Sequence, residues 1–123
     1  MVYDIRSPQI ESVYRFWGSG MTTIYGKDYT GYPISILVPS SVAKQLGAAL
    51  AIVCETEIPN AHTPHFTNKF GVTEHHCILR LPLFDTPGEV TKIVTLIDSS
   101  PDAMKTFQEI IGKTIDQDQM PKH

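Results

Sequence analysis

The sequence is short of the features that would assign it at sight. It has two cysteines in 123 residues, Cys54 and Cys77, too few for a disulfide framework and without the close spacing of a metal knuckle. Both lie among apolar neighbours, where a free cysteine behaves as a small hydrophobe, so they read as buried, reduced thiols. No run approaches the ~18 apolar residues that a membrane span needs, and "MVYDIRSPQIES" lacks the basic-then-apolar order of a signal peptide. The expectation is a cytoplasmic protein with no membrane partner. Basic residues are scarce as well: ten Lys and Arg against thirteen Asp and Glu give a formal charge of −3. The ten are scattered, whereas binding phosphates by counterion release wants them clustered, so nucleic acid is not expected as a partner. There is no phosphate-cradling glycine loop, no nucleophile elbow and no adjacent acid pair. Asp28, Asp85 and Asp98 fall in turns or strand ends, where aspartate is common for backbone reasons. No enzyme constellation emerges.

What is present is an ordinary globular composition, 41% apolar and 19% charged, in a length that suits one domain with a single core. Residues 1–12 read as an N-terminal arm or short helix, with Ser7 offered as cap and Pro8 in the first helical position. "VYRFWG" (13–18) is aromatic and β-branched and ends at glycine breakers, which marks the first strand. Residues 21–38 carry Gly26, Gly31 and Pro33, leaving room for short helical turns and a short strand. In "VAKQLGAALAIVC", Val42, Leu46, Ala49, Leu50 and Val53 recur at helical spacing after Ser40 and Ser41, either of which could cap. Gly47, Ala48 and Ala49 narrow one side of this main helix, so that a strand or a ligand could approach it closely. Pro59 and Pro64 bar a central strand across the following segment, and a strand near 61–67 has to be irregular or at an edge.

Two apolar strands then flank Thr86, Pro87, Gly88 and Glu89, a type II turn in which Pro87 presets its φ and Gly88 supplies the positive φ. Last, "SSPDAMKTFQEIIGKT" has Ser100 as cap, Pro101 in the first helical position and a face of Ala103, Phe107, Ile110 and Ile111. That gives a C-terminal amphipathic helix over 99–115 and a frayed tail over 116–123.

Strand alternation sorts the side chains further. Cys77, Leu79, Leu81 and Leu83 share one face, read as the core face, and Ile78, Arg80 and Pro82 share the other. Carried backward, the parity puts His75 inward and His76 outward. The strand after the turn is apolar on both faces, so the outside of the sheet needs a cover, the C-terminal helix or a second subunit. In "AHTPHF", His62 and Phe66 share a face and His65 takes the other. A His-x-x-His spacing in extended backbone sends the two rings opposite ways, which argues against a metal site. The plainer reading of these histidines is that backbone carbonyls satisfy them or that they sit at a rim.

The order of elements resembles the PAS domain, in particular the short variety widespread in alphaproteobacteria. "YRFWGSGMTTIYGKDYTGY" (14–32) matches its strand, small helix and Gly-Lys/Arg-Asp-x-x-Gly turn, and "LRLPLFDTPGEVTKIVTLID" (79–98) matches its final hairpin with a Pro-Leu pair. With the helix between, the resemblance spans 13–98. It implies an α+β fold: a five-stranded antiparallel sheet of order 2-1-5-4-3, curved around a pocket that the helix from Ser41 to Cys54 closes, to which the C-terminal helix read from 99–115 is an addition. It also implies a non-catalytic sensor or signalling module of bacterial signal transduction, binding a small ligand or a partner protein and commonly forming a homodimer. The pocket residues expected are Trp17, Tyr25, Tyr32, Leu46, Leu50, His62, Phe66, His75 and Leu79, aromatic and apolar walls with a few polar groups.

The flavin-binding light sensors need an asparagine-cysteine-arginine stretch that "ISILVPSSVA" lacks. Haem-binding members often take a histidine from the main helix, which has none here; a strand histidine such as His62 is left open. Two other classes stand beside this reading. One is a protein-interaction module with a filled core and no ligand. The other is a small cone-shaped α+β enzyme of the steroid-isomerase type, which would need an inward carboxylate, with Glu57 and Glu74 the nearest candidates.

Overall fold

The computed structural model describes residues 1–18, 21–22, 26–63, 65–67, 73–75, 77–98 and 100–119, with 65–67, 73–75 and 113–119 described as backbone. Five strands form one antiparallel sheet: β1 (Val2–Asp4), β2 (Val13–Phe16), β3 (Asn60–His62), β6 (Cys77–Thr86) and β7 (Glu89–Asp98). Their order across the sheet is β2-β1-β7-β6-β3, which is 2-1-5-4-3 when only these five are counted, as expected. β4 (His65–Thr67) and β5 (Thr73–His75) pair with each other in a separate ribbon.

The N-terminal segment departs from expectation. Instead of forming an arm, Val2–Asp4 pairs with both β2 and β7, so Val13–Phe16 is the second strand and the first twelve residues belong to the fold. Three residues are too few to display alternation in sequence, but the backbone fixes them. The Met1 amino group donates to the Thr95 carbonyl at 2.9 Å, the Thr95 N–H donates to the Met1 carbonyl at 2.8 Å, and the Ile5 N–H donates to the Thr91 carbonyl at 2.9 Å. The short helix foreseen after Ser7 is a 3-10 turn over Gln9–Glu11, with extended Pro8 in the cap position and no side-chain cap.

The turn containing Gly26 and Gly31 is closed by Asp28, whose Oδ1 accepts from the Thr30 N–H at 2.8 Å and from its hydroxyl at 2.6 Å. It docks on the free edge of β2. The Gly31 N–H donates to the Tyr14 carbonyl, the Tyr14 N–H to the Tyr32 carbonyl, and Val13 bridges Pro33. A second 3-10 turn, Ile34–Ile36, follows.

Helix α1 (Ser40–Thr56) buries Ala43, Gly47, Leu50 and Val53, one stripe at helical spacing. Val42, expected on that stripe, is exposed. Pro39, without a side-chain bond, holds the cap position proposed for Ser40 or Ser41, and the helix ends at Glu57 in the left-handed region (φ 60°) with its N–H on the Val53 carbonyl. The narrow side does receive a close neighbour, though neither strand nor ligand: a Cβ on Gly47 would lie 3.2 Å from the Ile10 Cα in the first 3-10 turn. An open groove of about 270 Å³ beside it is lined by Pro8, Ile10, Lys44, Ala48 and Ala51.

Strands β6 and β7 close through Thr86 and Glu89, with Gly88 at φ 83°, the positive value that the turn requires. Helix α2 (Ala103–Gln119) follows; it starts two residues after Pro101 and runs past the residue 116 at which fraying was expected. The Ser100 N–H is held by Asp98 Oδ1 at 2.8 Å.

The sheet's two faces are assigned opposite to expectation. Ile93, the partner of Tyr3 and of Pro82, packs in one cluster with Tyr3, Tyr14, Ile34, Leu50 and Val53. The face toward α1 is therefore that of Ile78, Arg80 and Pro82, with Ile93 and Thr95. Leu79, Leu81 and Leu83 point the other way. Leu79 is fully buried yet outside that cluster; α2 packs on β3 and β6, with Ala103 and Phe107 buried. The leucine row is the outer face, and α2 covers it at the β3 and β6 end, where Leu79 lies, leaving Leu83 and Leu96 exposed. Burial of Leu79 under a second helix looks the same in sequence as burial in the main core.

Candidate functional site

The α1-facing side of the sheet carries an aromatic wall. Tyr3 and Tyr14 sit on neighbouring strands with ring centres 4.8 Å apart, and Trp17 meets Tyr14 edge-on at 4.9 Å and Tyr29 at 5.1 Å. Such tilted and edge-on contacts are the favoured aromatic geometries. Tyr29 continues to Tyr32 at 6.5 Å, and the Lys27 ammonium lies 4.6 Å from the Tyr32 ring centre. The wall therefore runs from the deepest core to the surface, where Tyr32 is 44% exposed.

Next to this wall lies a charged group. Arg80 is 3% exposed and is the cross-strand partner of Thr95 and of Asn60. One guanidinium nitrogen donates to His62 Nδ1 at 3.0 Å. A guanidinium can only donate, so Nδ1 is the acceptor and His62 is the neutral imidazole with its proton on Nε2. Burial and then the Arg80 charge push the His62 pKa down, in agreement with a neutral ring. Burial also lowers the Arg80 pKa, opposed by the nearby Tyr3 and Tyr14 phenols. Among the described residues Arg80 Nε has no hydrogen-bond partner, nor does the buried Thr95 hydroxyl. Among the described residues the ion pairs are Arg15 and Lys92 with Asp4, and no carboxylate pairs with Arg80.

Of the residues singled out in the sequence, Trp17 and Leu50 are buried in the α1-facing core with Leu46 packed against it, and His62 lies on the same side of the sheet with Arg80. Tyr32 is at the surface end of the aromatic wall. Leu79 is on the opposite face, under α2, and does not belong with the others. Tyr25 lies outside the described residues, as does His76; the side chains of Phe66 and His75 do too. His75 belongs to β5, outside the main sheet, so the parity of β6 cannot be carried back to it. Glu57 is exposed at the end of α1. Cys54 and Cys77 are half-buried free thiols rather than fully buried ones; burial, then the Glu55 charge, push the Cys54 thiol pKa up.

No family model matches the sequence, and no curated protein matches it. Solved structures do. The PAS domain of a protein from Colwellia psychrerythraea superposes with a TM-score of 0.55 at 15% identity, over 80% of this chain and 82% of that one. The PAS domain of the histidine kinase ThkA gives 0.56 at 12%, over 79% and 95%. The chain has the PAS fold. A light-oxygen-voltage domain studied with a flavin analogue agrees, at 0.56 and 16% identity over 92% and 85%. These identities carry the fold and leave the site to be argued from this chain's own residues.

On those residues, the part of the PAS sheet under α1 is filled by Tyr3, Tyr14, Trp17 and Leu50 packing on one another. Polarity is concentrated at the β6 and β3 side, around Arg80, His62 and Thr95. The sequence reading missed Tyr3, Tyr14, Arg80 and Thr95. For Arg80 a signal existed: a single charge in the middle of the apolar run "CILRLPLF", where a buried polar group is the informative exception.

Proposed function

We propose that this chain is a non-catalytic PAS sensor or signalling module that takes up a small ligand on the α1-facing side of its sheet. The observation that carries the reading is the Arg80 and His62 pair, a charged group held almost fully out of water on the face where the fold gathers its core. Keeping a charge there costs several kcal/mol unless it is well paired, a cost that a binding site explains and a purely structural core does not. The ligand-contacting residues are Arg80, His62 and Thr95, with Tyr3 and Tyr14 as the adjoining wall. Flavin chemistry through a cysteinyl bond is not part of the reading, because the stretch before α1 lacks the residues for it.

Native mass spectrometry of freshly purified protein, with an absorbance spectrum, tests it. A bound small-molecule mass is expected; a clean apo protein that no small molecule stabilises would refute it.

One observation favours a second reading, a module that works by pairing with a copy of itself. Leu83 and Leu96 are exposed on the outer sheet face, beside half-buried Leu81 and Val94, an apolar area that a second copy would cover. Light scattering on wild type and Leu96→Glu distinguishes the readings. A dimer that the substitution splits supports self-association, and a wild-type monomer at all concentrations rejects it.

A further inference from the structure

We propose that the ligand is a small monocarboxylate and that Arg80 is its counter-charge. The inference rests on the sensor reading above and adds the chemical class. Arg80 keeps its charge under all ordinary conditions, and it stands beside a neutral histidine, a threonine and two tyrosines, with Nε lacking an acceptor. The Thr95 hydroxyl, on the residue directly across the ladder, is likewise buried without a partner. Two unmatched polar atoms on paired residues of one face describe a recognition site for a group that accepts from both. A carboxylate does so, and its two oxygens match the fork of a guanidinium.

The charge count selects among anions. His62 is neutral because its Nδ1 accepts from Arg80, so among the described residues the site supplies one positive charge. One carboxylate neutralises it; a phosphate or a dicarboxylate would bring a second negative charge into the low-dielectric interior, where an unpaired charge is heavily penalised. The tyrosine wall favours an acid with an apolar body.

The test is calorimetric titration of the full chain with propionate, benzoate, succinate, inorganic phosphate and benzamide at fixed ionic strength, on wild type, Arg80→Gln, Arg80→Lys and Thr95→Val. Propionate or benzoate is expected to bind, with benzamide and phosphate at least tenfold weaker. Arg80→Gln should weaken the carboxylate by roughly ten- to a hundredfold, as expected for a charge-assisted bond. Arg80→Lys should retain part of the affinity, and Thr95→Val should lose a few-fold. Near-UV circular dichroism confirms that each variant is folded; if Arg80→Gln is not, the Arg80→Lys and Thr95→Val pair decides, and affinity unchanged in both overturns the proposal. Glu74 in β5 provides a control: carboxylate binding that appears only in Glu74→Gln would make Glu74 the counter-charge and overturn it. A neutral bound mass in native spectrometry, or equal binding of phosphate and monocarboxylates, also overturns it while leaving the sensor reading standing. No bound mass and no response to any compound removes the sensor reading itself.

Discussion

Replacing Arg80 with methionine should stabilise the ligand-free protein. The aliphatic stem of Arg80 fills space on the α1-facing side of the sheet, and methionine, flexible and similar in length, keeps most of that packing. What is removed is the guanidinium of a residue that is 3% exposed, and the effective desolvation cost of such a buried charge is several kcal/mol. Against this stands the bond to His62 Nδ1 at 3.0 Å, worth about 1.5–3 kcal/mol as a charge-assisted hydrogen bond. After the change His62 is only half-buried and can turn its Nδ1 to water, so little further penalty follows. The balance is a gain of about 1–3 kcal/mol, or a rise in Tm of roughly 3–12 °C for a chain of this size. The measurement is urea unfolding of protein refolded from denaturant to strip any ligand, followed by circular dichroism, with unchanged m-value as the check on two-state behaviour. A loss of 2 kcal/mol or more would refute the reasoning, because it would mean that Arg80 is fully paired within the fold and its burial is structural. Stability gained at a site that function keeps strained is a familiar exchange.

Other expectations follow from the same geometry. The His62 pKa is lowered in the fold, so the unfolded chain binds the proton more readily; stability present above the ordinary histidine value of about 6.5 should be lost progressively as pH falls below it, toward the lower folded-state value. Unfolding followed between pH 7.5 and 5.5 should show that loss, and His62→Gln should flatten it. Leu79→Ala and Phe107→Ala should cost about 2–5 kcal/mol each and couple in a double-mutant cycle if they share the cover under α2, whereas exposed Leu83→Ala should stay within about 1 kcal/mol; additivity of the first two would argue against that packing. Gly47→Ala gains up to about 1 kcal/mol of helix propensity but drives a Cβ to 3.2 Å from the Ile10 backbone, so denaturation should report a net loss of about 1 kcal/mol. Trp17→Ala is expected to lose about 3–5 kcal/mol, because Trp17 is packed between Tyr14 and Tyr29; a Tm equal to wild type would show that the ring is not part of the core.

The sequence showed its local chemistry more openly than its orientation. The turn at Pro87 and Gly88 was legible because one position needs positive φ and a glycine stands there. α1 and α2 were legible because their apolar residues keep a period of 3.6, and the order of the sheet came with the resemblance of segments 14–32 and 79–98 to a known fold. β1 was not legible, since a three-residue strand between two longer ones is specified by its partners. Its Tyr3 nevertheless carries the aromatic wall, so the missed strand was also a missed part of the candidate site.

The inverted sheet faces follow from a different limit. Alternation tells which residues share a face and says nothing about which face is the core when both are covered, since a two-sided sheet offers apolar rows on either side. The usual tie-breaker is charge: the face bearing Arg80 is assigned to water because arginine is seldom fully buried. In this chain that rule fails at one residue, and the failure is informative. Leu79 lies beneath α2 on the outside, while its neighbour Arg80 is turned to the face that Leu50 and Val53 pack against. A sequence rule that breaks at a buried, incompletely paired cation points to a role beyond folding, which is why we propose the site at the β6 and β3 end of the sheet rather than among the aromatic residues that first suggested a pocket.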